Sequence, residues 1–205
     1  MTEYFRCLKS DFYKLRRCAF FPAHLLFSLC GAALMLIYAG ISGSSDSNKL
    51  AAFAQIHAIA YPFVVSIVCQ IAADQEMRAG HFQNLLTRTS RMKGILSKLT
   101  WLFLAGLAAV VISAMLFCSL FPFVTGTQTP AGFFLAIPLV LWASNLFLYG
   151  LHLFLAIRFG RNLGISVGAT LISLLIGAVL ASVCALSKKL DFVIMRIIDV
   201  VSCVP

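Results

Sequence analysis

Long apolar runs alternate with short polar segments along the whole chain. The apolar runs contain no Asp, Glu, Lys or Arg, and they cover five ranges: about Phe20–Ile41, Leu50–Ala73, Leu99–Val124, Ala131–Ile157 and Leu163–Ser187. A transmembrane helix needs roughly 20 mostly apolar residues. Each run must be helical, because lipid offers no partner for backbone polar groups. The pattern predicts an all-α integral membrane protein with five complete transmembrane helices.

The first polar segment, residues 2–17, has a helical periodicity of its own. Phe5, Leu8, Phe12 and Leu15 recur on one face, and five Lys and Arg residues occupy the other. A helix of this kind lies in the membrane interface, with its apolar face toward the acyl chains and its cations near anionic lipid. We predict an N-terminal interfacial helix here. A basic flank without regular structure is the alternative.

Composition supports a membrane protein and gives it an orientation. The mean hydropathy of +0.96 and the 61% of hydrophobic residues exclude an ordinary soluble domain. If the N-terminus is cytoplasmic, cytoplasmic segments hold twelve Lys and Arg residues and outside segments hold four. We therefore predict a multi-pass protein with a cytoplasmic N-terminus. The net charge of +9 comes mostly from the Lys and Arg residues of the cytoplasmic segments. No nucleic-acid partner is therefore expected.

One cytoplasmic segment, Asp74–Lys98, is much longer than the other loops. It changes from acidic to basic along its length and carries several apolar side chains. Its candidate contact residues are Asp74, Glu76, Gly80, Asn84, Leu85, Leu86 and Arg91. We interpret the segment as the surface on which a soluble motor subunit docks. A solvated basic loop without a partner is the alternative.

Small residues recur at every fourth position into the fifth apolar run. Gly160, Gly164 and Gly168 begin this series. Small side chains at this spacing let two helices approach closely in lipid. We predict a tight helix contact along the series, with a neighbour that belongs either to this chain or to a partner.

The tail, Lys188–Pro205, differs from a transmembrane segment. Its charged residues fall within one arc of a helical wheel, and most of its aliphatic residues fall opposite. We predict an outside amphipathic helix over 188–205 that lies on the bilayer surface.

The sequence lacks the residues that would make the chain an enzyme or an ion-driven carrier. It has no P-loop for ATP hydrolysis, no catalytic constellation and no metal-ligand spacing of Cys and His. Spans without charged residues disfavour carriers driven by protons or sodium. The polar residues within the spans include His57, Asn145 and His152. They either line a pathway or form hydrogen bonds between helices.

Two patches resemble one transporter family. The stretch EMRAGHFQNLL at Glu76–Leu86, with Ser90-Arg91 and Ser97-Lys98, resembles the first cytoplasmic loop of ABC-2 type permeases. It is most similar to the lantibiotic-immunity (lantibiotic-protection) branch. The elements LHLFL, FG and GISVG within Leu151–Gly168 resemble a second patch of that branch. Thr89 stands where many ABC-2 permeases have Pro.

The resemblance implies a single transmembrane permease domain over residues 1–205, with a fold like that of type V ABC exporters. It implies three partners: an ABC ATPase in two copies, a second homologous permease and a lantibiotic peptide as substrate. The ATPase would hold ATP and Mg²⁺, and this chain would bind no cofactor directly. The substrate would be expelled from the plasma membrane of the producing bacterium. Glu76–Leu86 would form the coupling helix that receives the ATPase stroke.

The resemblance also implies a sixth span after the outside helix. The given chain stops at Pro205, where that span would begin. We therefore expect either a naturally short protein or an incomplete sequence.

Two rival functions stay open on the sequence. One is an ABC-2 permease for lipid or polysaccharide export. The other is a non-transporting membrane protein, such as an assembly factor or a sensor component, which would not need Asp74–Lys98 to bind an ATPase. Neighbouring genes for an ATPase, a second permease and a lantibiotic precursor would discriminate between these functions.

Overall fold

Helices form almost the whole of the computed structural model, which describes residues 2–80, 82–83, 91–160 and 162–186. The helices bounded within these ranges are α1 Thr2–Leu15, α2 Phe20–Ile41, α3 Asp46–Arg78, α4 Arg91–Thr125, α5 Ala131–Ser144, α6 Leu146–Phe159 and α7 Leu163–Leu186. No strand occurs in the described ranges. The prediction of an all-α protein is confirmed for this part of the chain.

Four helical stretches in the described ranges are long and apolar enough to cross a membrane. They are Phe20–Ile41, Asp46–Arg78, Met92–Thr125 and Ala131–Phe159, and they match the first four predicted spans. The fifth predicted span is helical over Leu163–Leu186. Its apolar stretch, Leu163–Val179, is shorter than the roughly 20 residues that a span needs. The structure therefore supports a multi-pass membrane protein, and the fifth span stays a prediction.

The apolar stripe of α1 is buried against the protein at one end and exposed at the other. Leu15 is fully buried and Phe12 is partly buried, whereas Phe5 at the other end is exposed. We expected the whole stripe to face the acyl chains. Its C-terminal half packs instead on the protein. The chain turns at Arg16–Ala19 before α2 begins, and Pro22 falls in the first turn of α2, where a missing N–H is tolerated.

The fourth span is interrupted at Asn145, although the sequence predicted a continuous run. Asn145 separates α5 from α6, and its Nδ2 donates to the carbonyl of Leu141 at 2.8 Å. Its backbone N–H donates to the carbonyl of Trp142, one residue closer than in a regular α-helix. Asparagine side chains compete in this way with the helical hydrogen-bond ladder. Pro138 lies inside α5 without ending it.

Two apolar clusters hold the bundle together. The first contains residues from each of α1 to α6 and includes Tyr61, Leu102 and Tyr149. The second joins α2, α3 and α4, where the rings of Phe53 and Phe117 stack with centroids 4.3 Å apart. Many other leucines and isoleucines on the helices are exposed. An apolar outer surface of this kind suits lipid.

The chain divides into two compact units, Met1–Val167 and Gly168–Pro205. The first contains α1 to α6 and the first residues of α7. The second is described as far as Leu186 and contributes the rest of α7. The predicted outside helix over 188–205 lies outside the described residues. The single domain over 1–205 stays a prediction.

Candidate functional site

A buried ion cluster, formed by Asp11, Lys14, Glu76 and Lys98, joins α1, α3 and α4. Glu76 Oε1 accepts a hydrogen bond from Lys98 Nζ at 2.9 Å and another from Lys14 Nζ at 2.9 Å. Lys98 Nζ also lies 3.6 Å from Asp11 Oδ1. The side chains of Glu76 and Lys98 are each only 2% exposed, and that of Asp11 is fully buried. Glu76 and Lys98 are the central pair of the cluster.

The charges of the ion cluster balance. Two carboxylates face two ammonium groups, and the Ser97 hydroxyl donates to Asp11 Oδ2 at 2.7 Å. Burying an ion costs several kcal/mol unless it is paired and hydrogen-bonded. Each member of the cluster therefore offsets part of the burial cost of the others. Glu76 and Lys98 are 22 residues apart, so their ion pair clamps the two ends of the Asp74–Lys98 segment together.

Helix α1 is attached to α4 along most of its length. Near its start, Tyr4 and Thr100 share a hydroxyl hydrogen bond of 2.7 Å. In its middle, the indole N–H of Trp101 donates to the carbonyl of Leu8 at 2.9 Å, and the same indole lies against Phe12 at 4.9 Å between centroids. These contacts and the ion cluster make α1 an integral part of the bundle.

An exposed ion pair adds to the attachment of α1. Lys93 on α4 donates to the carboxylate of Glu3 on α1. This hydrogen bond and the charge of Lys93 lower the pKa of Glu3 below its ordinary value. Because both side chains are largely exposed, the pair contributes little to stability.

The predicted ATPase-contact residues occupy different environments. Asp74 pairs with Arg78 at 2.9 Å on the outer side of α3. Glu76 is buried in the ion cluster, which differs from the expectation that it belongs to an exposed docking surface. Gly80 lies two residues beyond α3 at φ 131°, a conformation that side-chain-bearing residues rarely adopt. Asn84, Leu85 and Leu86 lie outside the described residues, and Arg91 is the first residue of α4.

A family model described as ABC-2 family transporter protein matches residues 7–184, most of the chain. The chain belongs to this family. It is therefore a membrane transport subunit whose family implies an ABC ATPase as partner. No curated protein and no solved structure matches the chain.

Within the membrane part of this ABC-2 chain, the predicted polar residues form hydrogen bonds. His57 Nδ1 lies 2.9 Å from the carbonyl of Phe53, which can only accept, so Nδ1 carries a hydrogen. In the neutral ring, Nε2 then accepts from the Ser113 hydroxyl at 2.8 Å. This bond links α3 to α4. His152 Nδ1 pairs with the Ser166 hydroxyl at 2.9 Å, which links α6 to α7.

Two glycines that the sequence did not single out allow close helix approach. A Cβ on Gly31 would lie 2.8 Å from His57 Nε2. A Cβ on Gly106 would lie only 2.0 Å from the Tyr149 hydroxyl, which pairs with the Tyr61 hydroxyl at 2.9 Å. Only a residue without a side chain fits at these two contacts. Close approach through glycine therefore occurs in α2 and α4.

The predicted glycine series has another local role at its start. Gly160 ends α6 at φ 64°, and its carbonyl accepts from Gln70 Nε2 at 2.7 Å. Its backbone conformation therefore favours glycine. A Cβ on Gly164 would meet Asn162 Oδ1 at 3.2 Å. Gly168 begins the second unit, and the packing of the series stays a prediction.

The ion cluster was not foreseen, although the sequence contains a signal for it. Asp11 lies three residues after Leu8 and four before Leu15, so helical periodicity places it on the apolar stripe of α1. A carboxylate on such a stripe needs a cation as partner. The sequence does not identify Lys98 as that cation. Among the described residues, no group of three or more His, Cys, Asp or Glu could hold a metal ion.

Proposed function

We propose that this ABC-2 permease subunit expels lantibiotic-type antimicrobial peptides from the plasma membrane of the bacterium that makes them. The observation behind the coupling part of this proposal is the Glu76–Lys98 ion pair, which holds together the ends of the segment that resembles the family's coupling loop. A push on the segment would reach α3 and α4 through this pair. It would reach α1 through Lys14 and Asp11.

In this proposal, two copies of an ABC ATPase supply the push. They would hold ATP and Mg²⁺, and a second homologous permease would complete the membrane part. The proposed contact residues are Asp74, Gly80, Asn84, Leu85, Leu86 and Arg91. Glu76 takes a different role, as the buried anchor of the segment. The N-terminus would lie in the cytoplasm with the ATPase.

The cargo proposal depends on the two sequence patches that resemble the lantibiotic-immunity branch. A cationic, amphipathic peptide would enter from the outer leaflet. The cations of this chain are concentrated in the segments proposed to be cytoplasmic, so the peptide would meet little like charge on its way. An ABC-2 permease for lipid or polysaccharide is the alternative, since it would use the same coupling parts.

Coupling can be tested with the leucine pair of the docking segment. The chain would be co-expressed with the proposed ATPase and second permease, and ATPase activity would be measured in proteoliposomes. We expect the Leu85→Ala, Leu86→Ala double variant to lose stimulation and co-purification while staying in the membrane. Leu104→Ala, at an exposed leucine within α4, is the matched control. Equal activity of both variants would contradict the proposed docking surface.

Cargo and orientation need separate measurements. Cells that express the complex should survive a lantibiotic better than cells with an ATPase-dead partner, and unchanged survival would favour another cargo. In intact cells, a membrane-impermeant thiol reagent should spare Cys7 and label it only after permeabilisation. Labelling of Cys7 in intact cells would place the docking segment outside, where an ATPase could not reach it.

A further inference from the structure

A basic cleft opens between α1 and the last turn of α3. It has a volume of about 560 Å³, and its polar lining residues are Ser10, Tyr13, Lys14, Arg17, Gln75 and Arg78. A second hollow of about 380 Å³ shares Arg17, Gln75 and Arg78 with it and adds Asp74. The cleft thus collects three cationic side chains from two separate parts of the chain.

The cations of the cleft are not equally available to a ligand. Lys14 already donates to the buried Glu76. Arg78 binds Asp74 through Nε and Nη2, which leaves the remaining N–H groups of its guanidinium for another acceptor. The guanidinium of Arg17 forms no hydrogen bond or ion pair with the described residues, and its backbone N–H donates to the carbonyl of Lys14. Arg17 is therefore the cation with most to gain from an anionic ligand, and Arg78 can assist it.

The depth of the cleft in the membrane identifies the kind of anion. Arg17 precedes the apolar helix α2 by three residues, and Arg78 follows the apolar run that ends at Ala73 by five. The cleft therefore lies at the level where a bilayer changes from acyl chains to phosphates. Basic side chains at this level attract anionic lipid headgroups.

One polar group in the cleft adds a requirement. Gln75 Oε1 is buried and has no hydrogen-bond partner among the described residues. It is an acceptor, so a phosphate oxygen does not satisfy it, whereas a hydroxyl group does. We propose that this cleft binds an anionic phospholipid with a hydroxylated headgroup, such as phosphatidylglycerol. The phosphate lies on Arg17 and Arg78, and a rotation of the Gln75 side chain brings its buried Oε1 to a headgroup hydroxyl, which donates to it. This proposal is independent of what the protein transports.

Lipid retention by the purified full chain tests the phosphate site. The chain would be reconstituted with phosphatidylglycerol in phosphatidylcholine, and the lipid that stays bound would be measured by native mass spectrometry. Loss of either arginine should lower the amount of bound phosphatidylglycerol roughly fivefold. The Arg17→Gln, Arg78→Gln double variant should therefore retain about 25-fold less of this lipid than the parent chain. Arg6→Gln removes the same charge from an exposed position of α1 and serves as control. Equal retention by the double variant and the control would overturn the proposal.

Two further arms separate the lipid from simpler ligands. Gln75→Met should weaken retention of phosphatidylglycerol but not of phosphatidic acid, which has no headgroup hydroxyl. An unchanged preference would refute the hydroxylated headgroup. Inorganic phosphate should neither displace the lipid nor raise the thermal stability of the chain. If phosphate alone did both, the cleft would be a site for a soluble anion, and the lipid proposal would fail.

Discussion

Single substitutions in the ion cluster should destabilise the protein in a definite order. Lys98→Met should cost most, because it leaves two buried carboxylates, Asp11 and Glu76, to share the one remaining ammonium of the cluster. That ammonium, on Lys14, lies 2.9 Å from Glu76 Oε1. Removing one partner of a buried ion pair costs about 3–5 kcal/mol. We expect Lys98→Met to lie in this range.

Two other substitutions in the cluster, Glu76→Gln and Lys14→Met, should lower the free energy of unfolding less. Glu76→Gln keeps an oxygen beside Lys98, and Asp11 still faces that ammonium at 3.6 Å. The substitution then removes a charged hydrogen-bond acceptor, which should lower the free energy of unfolding by roughly 1.5–3 kcal/mol. Lys14→Met should cost about 1 kcal/mol or less. Its side chain is already 26% exposed, and Glu76 keeps its bond to Lys98.

Unfolding in mixed micelles measures these free energies. The chain would be titrated with sodium dodecyl sulfate in a mild detergent and followed by circular dichroism and by tryptophan fluorescence. Trp101 is a local probe, since its indole N–H contacts α1 at Leu8. Lys93→Met is the matched control, because Lys93 forms its ion pair at the surface. That variant should unfold like the parent protein.

Two results would refute this reasoning. One is an equal loss of unfolding free energy for Lys14→Met and Lys98→Met. That result would mean that burial of the ion pairs does not set the order of the losses. The other is a Lys98→Met variant as stable as the Lys93→Met control. In that case the cluster would not be buried in the folded protein, and the clamp across Asp74–Lys98 would not exist.

Three further predictions concern contacts within the membrane. Gly106→Ala should lower the free energy of unfolding by about 1–3 kcal/mol, because its Cβ would displace the hydroxyl pair of Tyr61 and Tyr149. Gly150→Ala is the control in the same unfolding assay. It should change little, because Gly150 has open space around it among the described residues. Ser113→Ala should cost about 1–3 kcal/mol, since it leaves the ring nitrogen of a buried histidine without its donor; an unchanged midpoint would contradict the hydrogen bond. The Gly164→Leu, Gly168→Leu double variant should weaken assembly with the proposed partner permease in native gels, and normal assembly would show that the glycine series is not an interface between the two permeases.

The membrane spans were predictable because they depend on one local property. A run of apolar residues without charge has no stable place except lipid or a large core, so the first four spans followed from composition alone. Their boundaries were less accurate. Helix α3 begins at Asp46 and ends at Arg78, beyond the predicted Leu50–Ala73, because a helix continues into polar residues while its backbone hydrogen bonds persist.

The polar contacts were less predictable because they depend on which helices are neighbours. Ser113 is an ordinary small residue in the sequence, and only the packing of α3 on α4 brings it to His57. Gly106 likewise gains its importance from Tyr149, 43 positions along the chain. The glycine series was easier to notice because its spacing is regular. Regular spacing shows which residues share a helix face, but it does not show which helix lies opposite.

The position of Glu76 shows that a residue in a polar stretch of sequence can be buried in the fold. In the sequence it stands among polar residues, which suggested an exposed contact. In the fold it is the last buried carboxylate of α3 and faces Lys98 on α4. A docking contact needs exposure, whereas an anchor needs burial and a fixed partner. In the proposed coupling, a push on the segment between Glu76 and Lys98 acts on two helices that this ion pair already joins, so it would move α3 and α4 together instead of pulling them apart. Helix α1 is joined to the same pair, through Lys14 to Glu76 and through Asp11 to Lys98, so the proposed push would reach α1 as well.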